Sequence, residues 1–111
     1  MERREYARYA VQALIDFEWM EEGVLRREQG VTRDISQKGM FIRSNTMPPA
    51  KADMEVDVAF RDIASIPTNL RMRARSLVIR VELASGPRSL SGFAILNKSC
   101  ELYSDLNAVQ N

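Results

Sequence analysis

The chain has 111 residues, enough for one domain with its own core. Hydrophobic residues make up 45% and charged residues 28%, so neither a metal nor a disulfide is needed to hold the fold. A net charge of +1 excludes a general polyanion binder, and the absence of His with a single Cys excludes a structural zinc site, an internal disulfide and any His-dependent catalytic pair.

The kind of basic residue carries more information than the net charge. Thirteen of the 16 basic residues are Arg, whose flat fork of donors fits phosphates and guanine edges and stacks on rings. The opening Met1-Glu2-Arg3-Arg4-Glu5 is charged and no long apolar run follows. These features predict no signal peptide, no membrane insertion and a cytoplasmic location. Carboxylates are plentiful, but none stands out as a catalytic pair, so no enzyme activity is expected.

Residues 1–9 show no apolar periodicity and are predicted to form a flexible N-terminal tail, with residues 10–111 as a β-barrel domain. From Val11 the pattern changes. Val11, Ala13, Ile15, Phe17 and Trp19 alternate with Gln12, Leu14, Asp16 and Glu18, the signature of a strand with one buried face. Glu21-Glu22-Gly23 reads as a hairpin loop, and a polar strand returns from Val24 to Ile35. Asp34 to Gly39 reads as a turn, Met40-Phe41-Ile42 as a short strand, and Asn45 to Asp53, with Pro48-Pro49, as a loop.

Met54, Val56, Val58 and Phe60 mark another strand. In Leu70 to Leu83 the apolar set runs on even positions (Leu70, Met72, Ala74) and then on odd ones (Leu77, Ile79, Val81, Leu83). That change of phase predicts a bulge near Ser76. Leu90 to Leu96 reads as the last strand, and Lys98 to Leu106 as a short C-terminal helix. Five or six short strands without long helices predict an all-β barrel or sandwich.

Two short motifs stand out. Arg4 and Arg8 form R-x-x-x-R, and Asp34-x-Ser36-x-x-Gly39 occupies a turn. Taken singly, the second is a turn signature: Asp and Ser cap local amides, and Gly supplies a positive φ. A hairpin centred near Glu22 makes Arg8 and Ser36 equidistant from its tip, which brings the tail and the turn to one end of one sheet.

Arg3-Arg4-x-x-x-Arg8, a hairpin and then Asp34-x-Ser36-x-x-Gly39 together resemble the PilZ domain, which carries R-x-x-x-R followed by (D/N)-x-S-x-x-G. Gly39-Met40-Phe41-Ile42, Arg75-Ser76-Leu77-Val78-Ile79-Arg80 and Gly92-Phe93-Ala94 resemble later strands of the family. The chain departs from the pattern at Ser76, where many members have Gly, and at Ile95 or Leu96, where many have an aromatic residue.

The resemblance implies a six-stranded antiparallel barrel and cyclic di-GMP as ligand, with no other cofactor. It implies Arg4, Arg8, Asp34, Ser36 and Gly39 as ligand-binding residues. Arg3, Arg33 and Arg80 are implied as secondary ones, and Arg3 as the mark of a stacked ligand dimer. The chemistry is consistent. Arg can grip phosphate or the guanine O6 and N7 atoms, or lie flat on the base, and Asp34 can accept from guanine N–H donors. Tyr6 and Tyr9 are further stacking candidates, and Phe17 and Trp19 are expected in the core. Binding is expected to order the tail and signal to a partner or linked domain.

Two other readings stand beside this one. The first is a PilZ-like interaction module that binds no nucleotide. The second is a barrel that binds RNA or single-stranded DNA through Arg71, Arg73 and Arg75. That stripe is expected to be a solvated outer face, and its strand contains no aromatic residue, so no nucleic-acid partner is expected.

Overall fold

The computed structural model describes residues 10–60, 69–84, 86 and 91–104. Six strands follow in chain order: β1 (Leu14–Glu21), β2 (Val24–Ile35), β3 (Gly39–Arg43), β4 (Asp53–Ala59), β5 (Leu70–Glu82) and β6 (Gly92–Ser104). All pairings are antiparallel, and the strands close into a barrel in the order β1-β2-β3-β6-β5-β4.

The two-residue periodicity of β1 is realised as expected. Ala13, Ile15, Phe17 and Trp19 are buried, while Leu14 and Asp16 face outward. Phe17 stacks against Trp19 at 5.8 Å between ring centroids and meets Phe93 edge-on at 5.1 Å. Met40, Ile42, Met54, Val56, Val58, Met72, Val78 and Ile95 complete the barrel interior. Each such side chain contributes about 1.5–3 kcal/mol through burial.

The β1–β2 hairpin turns on Glu22 and Gly23, which have φ of 51° and 80°. Positive φ at both central residues gives the primed turn whose twist matches the flanking strands. Leu14 therefore pairs with Val31 and Glu21 with Val24. The hairpin axis falls between Glu22 and Gly23, half a residue beyond the expected centre at Glu22.

Two expectations are corrected. No short helix begins at Lys98, because β6 continues as a strand to Ser104 against β5. A bulge does fall beside Ser76, as expected, but the change of phase in β5 itself lies at Ile79. Met72, Ala74, Ser76 and Val78 all face inward, and Ile79 is 53% exposed. Ser76 keeps the even phase because its buried hydroxyl donates to Asn97 Oδ1 at 2.9 Å, a partner that composition does not reveal. A second register shift, between Arg75 and Ser76, arises on the partner strand, where Lys98 is the extra residue. Two bulges on opposite strands allow 13-residue strands to coil around the barrel.

Among the described residues no helix is long and apolar enough to cross a membrane.

Candidate functional site

Residues 36–38 link β2 to β3; Asp34 and Ile35, expected in the turn, are still paired in β2 opposite Phe41 and Met40. The ends of this link are tied by Ser36. The Ser36 N–H donates to the Gly39 carbonyl at 2.8 Å, and the Ser36 hydroxyl accepts from the Gly39 N–H and donates to the Gly39 carbonyl, both at 3.1 Å. Ser36 is buried, and its hydroxyl closes the turn. Gly39 does not adopt a positive φ; among the described glycines only Gly23 does. Gly39 is required for another reason. A Cβ there would overlap the Ile95 carbonyl oxygen of β6, so glycine permits the β3–β6 approach that sets the turn against the barrel.

The β2–β3 register shifts between Thr32 and Asp34, making Arg33 the bulged residue. The bulge places two neighbours together on one face. Arg33 Nε donates to Asp34 Oδ2 at 3.1 Å, and the Arg33 guanidinium carbon lies 3.9 Å from the centroid of the Phe41 ring. Arg33 is thus held flat, its inner face on Phe41 and its edge on a carboxylate, while the side chain stays 40% exposed.

Phe41 lies between Met40 and Ile42, which point into the core, so its ring faces outward, yet it is buried. It packs over Gly92, where a Cβ would overlap the ring edge.

Pairing continues this row across the sheet: Asp34 opposes Phe41, Phe41 opposes Ala94, and Ala94 opposes Arg80. Four strands at the usual spacing put Asp34 and Arg80 about 14 Å apart. The floor between them is Phe41 and small Ala94, and the rim carries Arg33, Asp34 and Arg80. Arg80 is exposed and pairs with Glu82 at 2.8 Å. The structure therefore brings four residues singled out from sequence (Asp34, Arg33, Arg80 and, beside them, Gly39) to one outer face. Arg3, Arg4, Tyr6, Arg8 and Tyr9 lie outside the described residues.

Sequence reasoning missed Thr32. Its buried hydroxyl accepts from the Ala13 N–H at 2.8 Å and donates to the Val11 carbonyl at 2.5 Å, while the Thr32 N–H donates to the Ala13 carbonyl at 2.9 Å. These bonds hold Val11 beside Thr32, two residues from Asp34. A lone Thr within a polar strand gives no signal of this. Phe41 was also missed as an outward residue, because Met40-Phe41-Ile42 is apolar throughout and its alternation is invisible.

The opposite side of the barrel is polar. A groove of about 960 Å³ runs over β2, β1, β4 and β5, with Asp16, Glu18, Gln29, Asp57 and Arg73 among its lining. Arg71 Nε pairs with Asp57 Oδ1 at 2.9 Å, and the Tyr103 hydroxyl donates to Asp57 Oδ2 at 2.6 Å. Arg73 lies 4.8 Å from the Tyr103 ring centroid. Burial, and then the Asp57 hydrogen bond, push the Tyr103 hydroxyl above its usual 10.0. Burial opposes the charge of Arg71, but the hydrogen bond to Asp57, the Asp57 charge and the Tyr103 hydroxyl together outweigh it, so its affinity for a proton rises. The expected stripe does face outward, but the Arg71 side chain is only 18% exposed. An aromatic residue, Tyr103, joins the stripe from β6, a neighbour the β5 sequence could not show.

Comparison with known proteins agrees with the barrel fold. The PilZ domain profile matches residues 2–108. No curated protein matches the chain. Among solved structures, the Bacillus subtilis inhibitor of motility (MotI/DgrA) is similar, with a TM-score of 0.68 at 12% identity over 91% of this chain. The chain spans 45% of that protein's length, and at this identity the likeness shows the fold. PilZ domains are binding and regulatory modules rather than enzymes, and with the profile matched over nearly its whole length the chain belongs to the PilZ family of cyclic di-GMP receptor domains.

Proposed function

We propose that this chain is a cyclic di-GMP receptor that binds its ligand on the outer face of β2, β3, β6 and β5, with Arg4 and Arg8 closing over it from the N-terminal segment. The observation that carries this reading is the cross-strand row Asp34–Phe41–Ala94–Arg80, with Arg33 flat on Phe41. A guanine needs a flat surface and an acceptor for its N1 and N2 donors. The exposed face of the Arg33 guanidinium supplies the first and Asp34 the second. Ser36 and Gly39 shape the turn rather than offer free polar groups, so their part in binding is to hold Asp34 in place. Val11 is anchored beside Thr32, and Arg8 is only three residues before it in sequence. Arg3 extends the same basic segment and would serve a second, stacked ligand. Ordering of that segment is the signal passed to a linked domain or effector protein, from a cytoplasmic location.

Calorimetric titration with cyclic di-GMP tests the reading on the wild type, Arg4→Ala and Arg8→Ala. Each substitution is expected to weaken binding by about 1–3 kcal/mol, the usual cost of losing a charge-assisted contact. Unchanged affinity in both variants would exclude the site, and the measured stoichiometry separates one ligand from two.

A further inference from the structure

Asn97 stands on β6 next to the bulge and reaches both the β2–β3 turn and β5. Its backbone N–H donates to the Lys38 carbonyl at 2.6 Å. Its side-chain Nδ2 donates to the Gln37 carbonyl at 3.0 Å, and its Oδ1 accepts from the Ser76 hydroxyl at 2.9 Å. Ser36 ties the two ends of the turn to each other, and Asn97 takes the two carbonyls at its tip. The orientation of the amide is fixed by chemistry. A carbonyl oxygen at Gln37 requires a donor, so Nδ2 faces the turn and Oδ1 faces Ser76. Ser76 is 1% exposed, so this second bond is made inside the barrel wall and holds the amide plane.

The bulge makes this contact possible. Asn97 opposes Ser76 while Arg75 opposes Ser99, which leaves Lys98 as the extra residue and brings Asn97 into line with both Ser76 and the turn. Lys98 itself then pairs with Asp53 at the start of β4.

We propose that Asn97, backed by Ser76, is the positioning residue that fixes the Ser36–Gly39 turn in its ligand-binding shape. This rests on the receptor reading given above. Neither side chain lies in the Asp34–Arg80 row, so their effect on the ligand is indirect. Asn97 sets the conformation of the turn, and the turn sets the direction of Asp34.

The test combines cyclic di-GMP titration, thermal melting and amide hydrogen exchange on the wild type, Asn97→Ala, Asn97→Asp and Ser76→Ala, with Arg73→Ala on the far face as control. Asn97→Ala is expected to bind about three- to ten-fold more weakly, the equivalent of one neutral hydrogen bond. Asn97→Asp keeps an acceptor for Ser76 but sets a carboxylate against the Gln37 carbonyl, so it binds at least as weakly. Ser76→Ala leaves the Gln37 bond in place and costs about two-fold. Arg73→Ala binds as the wild type does.

Exchange at the Gly39 amide is expected to quicken in Asn97→Ala, while the β1 and β4 amides keep their protection. A general loss of stability would instead raise exchange in every strand, and that pattern would count against the proposal. If the wild type binds and Asn97→Ala binds equally well, the inference fails and the receptor reading stands. If the wild type binds nothing, the receptor reading fails. In that case unchanged Gly39 exchange in Asn97→Ala overturns the clamp as well, and quickened exchange upholds it. Should Asn97→Ala not fold, Ser76→Ala carries the same comparison.

Discussion

The two outer faces of the barrel use similar residues in opposite ways. On β2, β3, β6 and β5, Arg33 rests on Phe41 and keeps one face in solvent, with Asp34 at its edge. On β1, β4, β5 and β6, Arg71 is held by Asp57, and Asp57 is held again by Tyr103. The first face places polar groups around an apolar floor and leaves part of their bonding capacity open. The second spends its Arg, Asp and Tyr groups largely on one another. Being rich in Arg therefore does not mark a binding face. What distinguishes Arg33 is that its guanidinium is held on Phe41 and Asp34 with one face left in solvent, and that depends on a bulge at Arg33 and on small residues, Gly92 and Ala94, that let Phe41 lie down.

The sharpest way to break the contrast is to remove the floor. Phe41→Ala is expected to lower unfolding free energy by about 3–5 kcal/mol, measured by urea denaturation, because a buried ring leaves a cavity. The folded fraction of this variant should also bind cyclic di-GMP more weakly, since Arg33 loses its support. Retained affinity would show that the flat guanidinium plays no part in binding.

Asp34→Ala probes the rim instead. It should cost about 1–3 kcal/mol of ligand affinity in a titration. Stability should change by no more than about 0.5 kcal/mol, because the lost pair with Arg33 is partly exposed. A large fall in melting temperature with unchanged affinity would move Asp34 from ligand contact to structural support.

The smallest effect belongs to the far face. Tyr103→Phe removes the hydrogen bond to Asp57 and should cost about 1 kcal/mol of stability, with ligand affinity unaltered. Its pH dependence has a definite sign. The folded-state pKa of Tyr103 is raised above its ordinary value, so its contribution is complete below about pH 10 and is lost as pH rises through the higher folded value. The wild type should therefore lose stability in that alkaline window more steeply than Tyr103→Phe. Identical alkaline slopes would mean the hydroxyl is not held by Asp57 in solution.

Much of the fold was legible because alternation survives wherever one face is polar. Ile15, Phe17 and Trp19 against Asp16 and Glu18 fix β1 and its inward face without further help. The hairpin, the Ser36–Gly39 turn and the strand character of β4 follow from equally local signals, and they suffice for the family resemblance. The reading failed where a bulge breaks the period. On β6 the inward positions run Phe93, Ile95, Asn97 and then Cys100, because Lys98 is extra. A three-residue step in that run imitates helical spacing, which is why the segment after Lys98 reads as a helix. On β5 the same device at Ile79 hides behind three consecutive apolar residues, Leu77, Val78 and Ile79, so the sequence pattern puts the phase change too early.

The sequence by itself determined most of the strands, the hairpin and the Asp34-x-Ser36-x-x-Gly39 motif, since these depend on neighbours within a few residues and on the chemistry of single side chains. Only the tertiary structure decided what the motif residues do. Ser36 closes the turn on Gly39, and Gly39 is glycine because the Ile95 carbonyl of a strand more than fifty residues away lies against it. Asn97 serves the turn from a distance of 60 residues in sequence. Such contacts arise from barrel closure, which pairs strands remote along the chain, and local pattern carries no record of which partner will arrive.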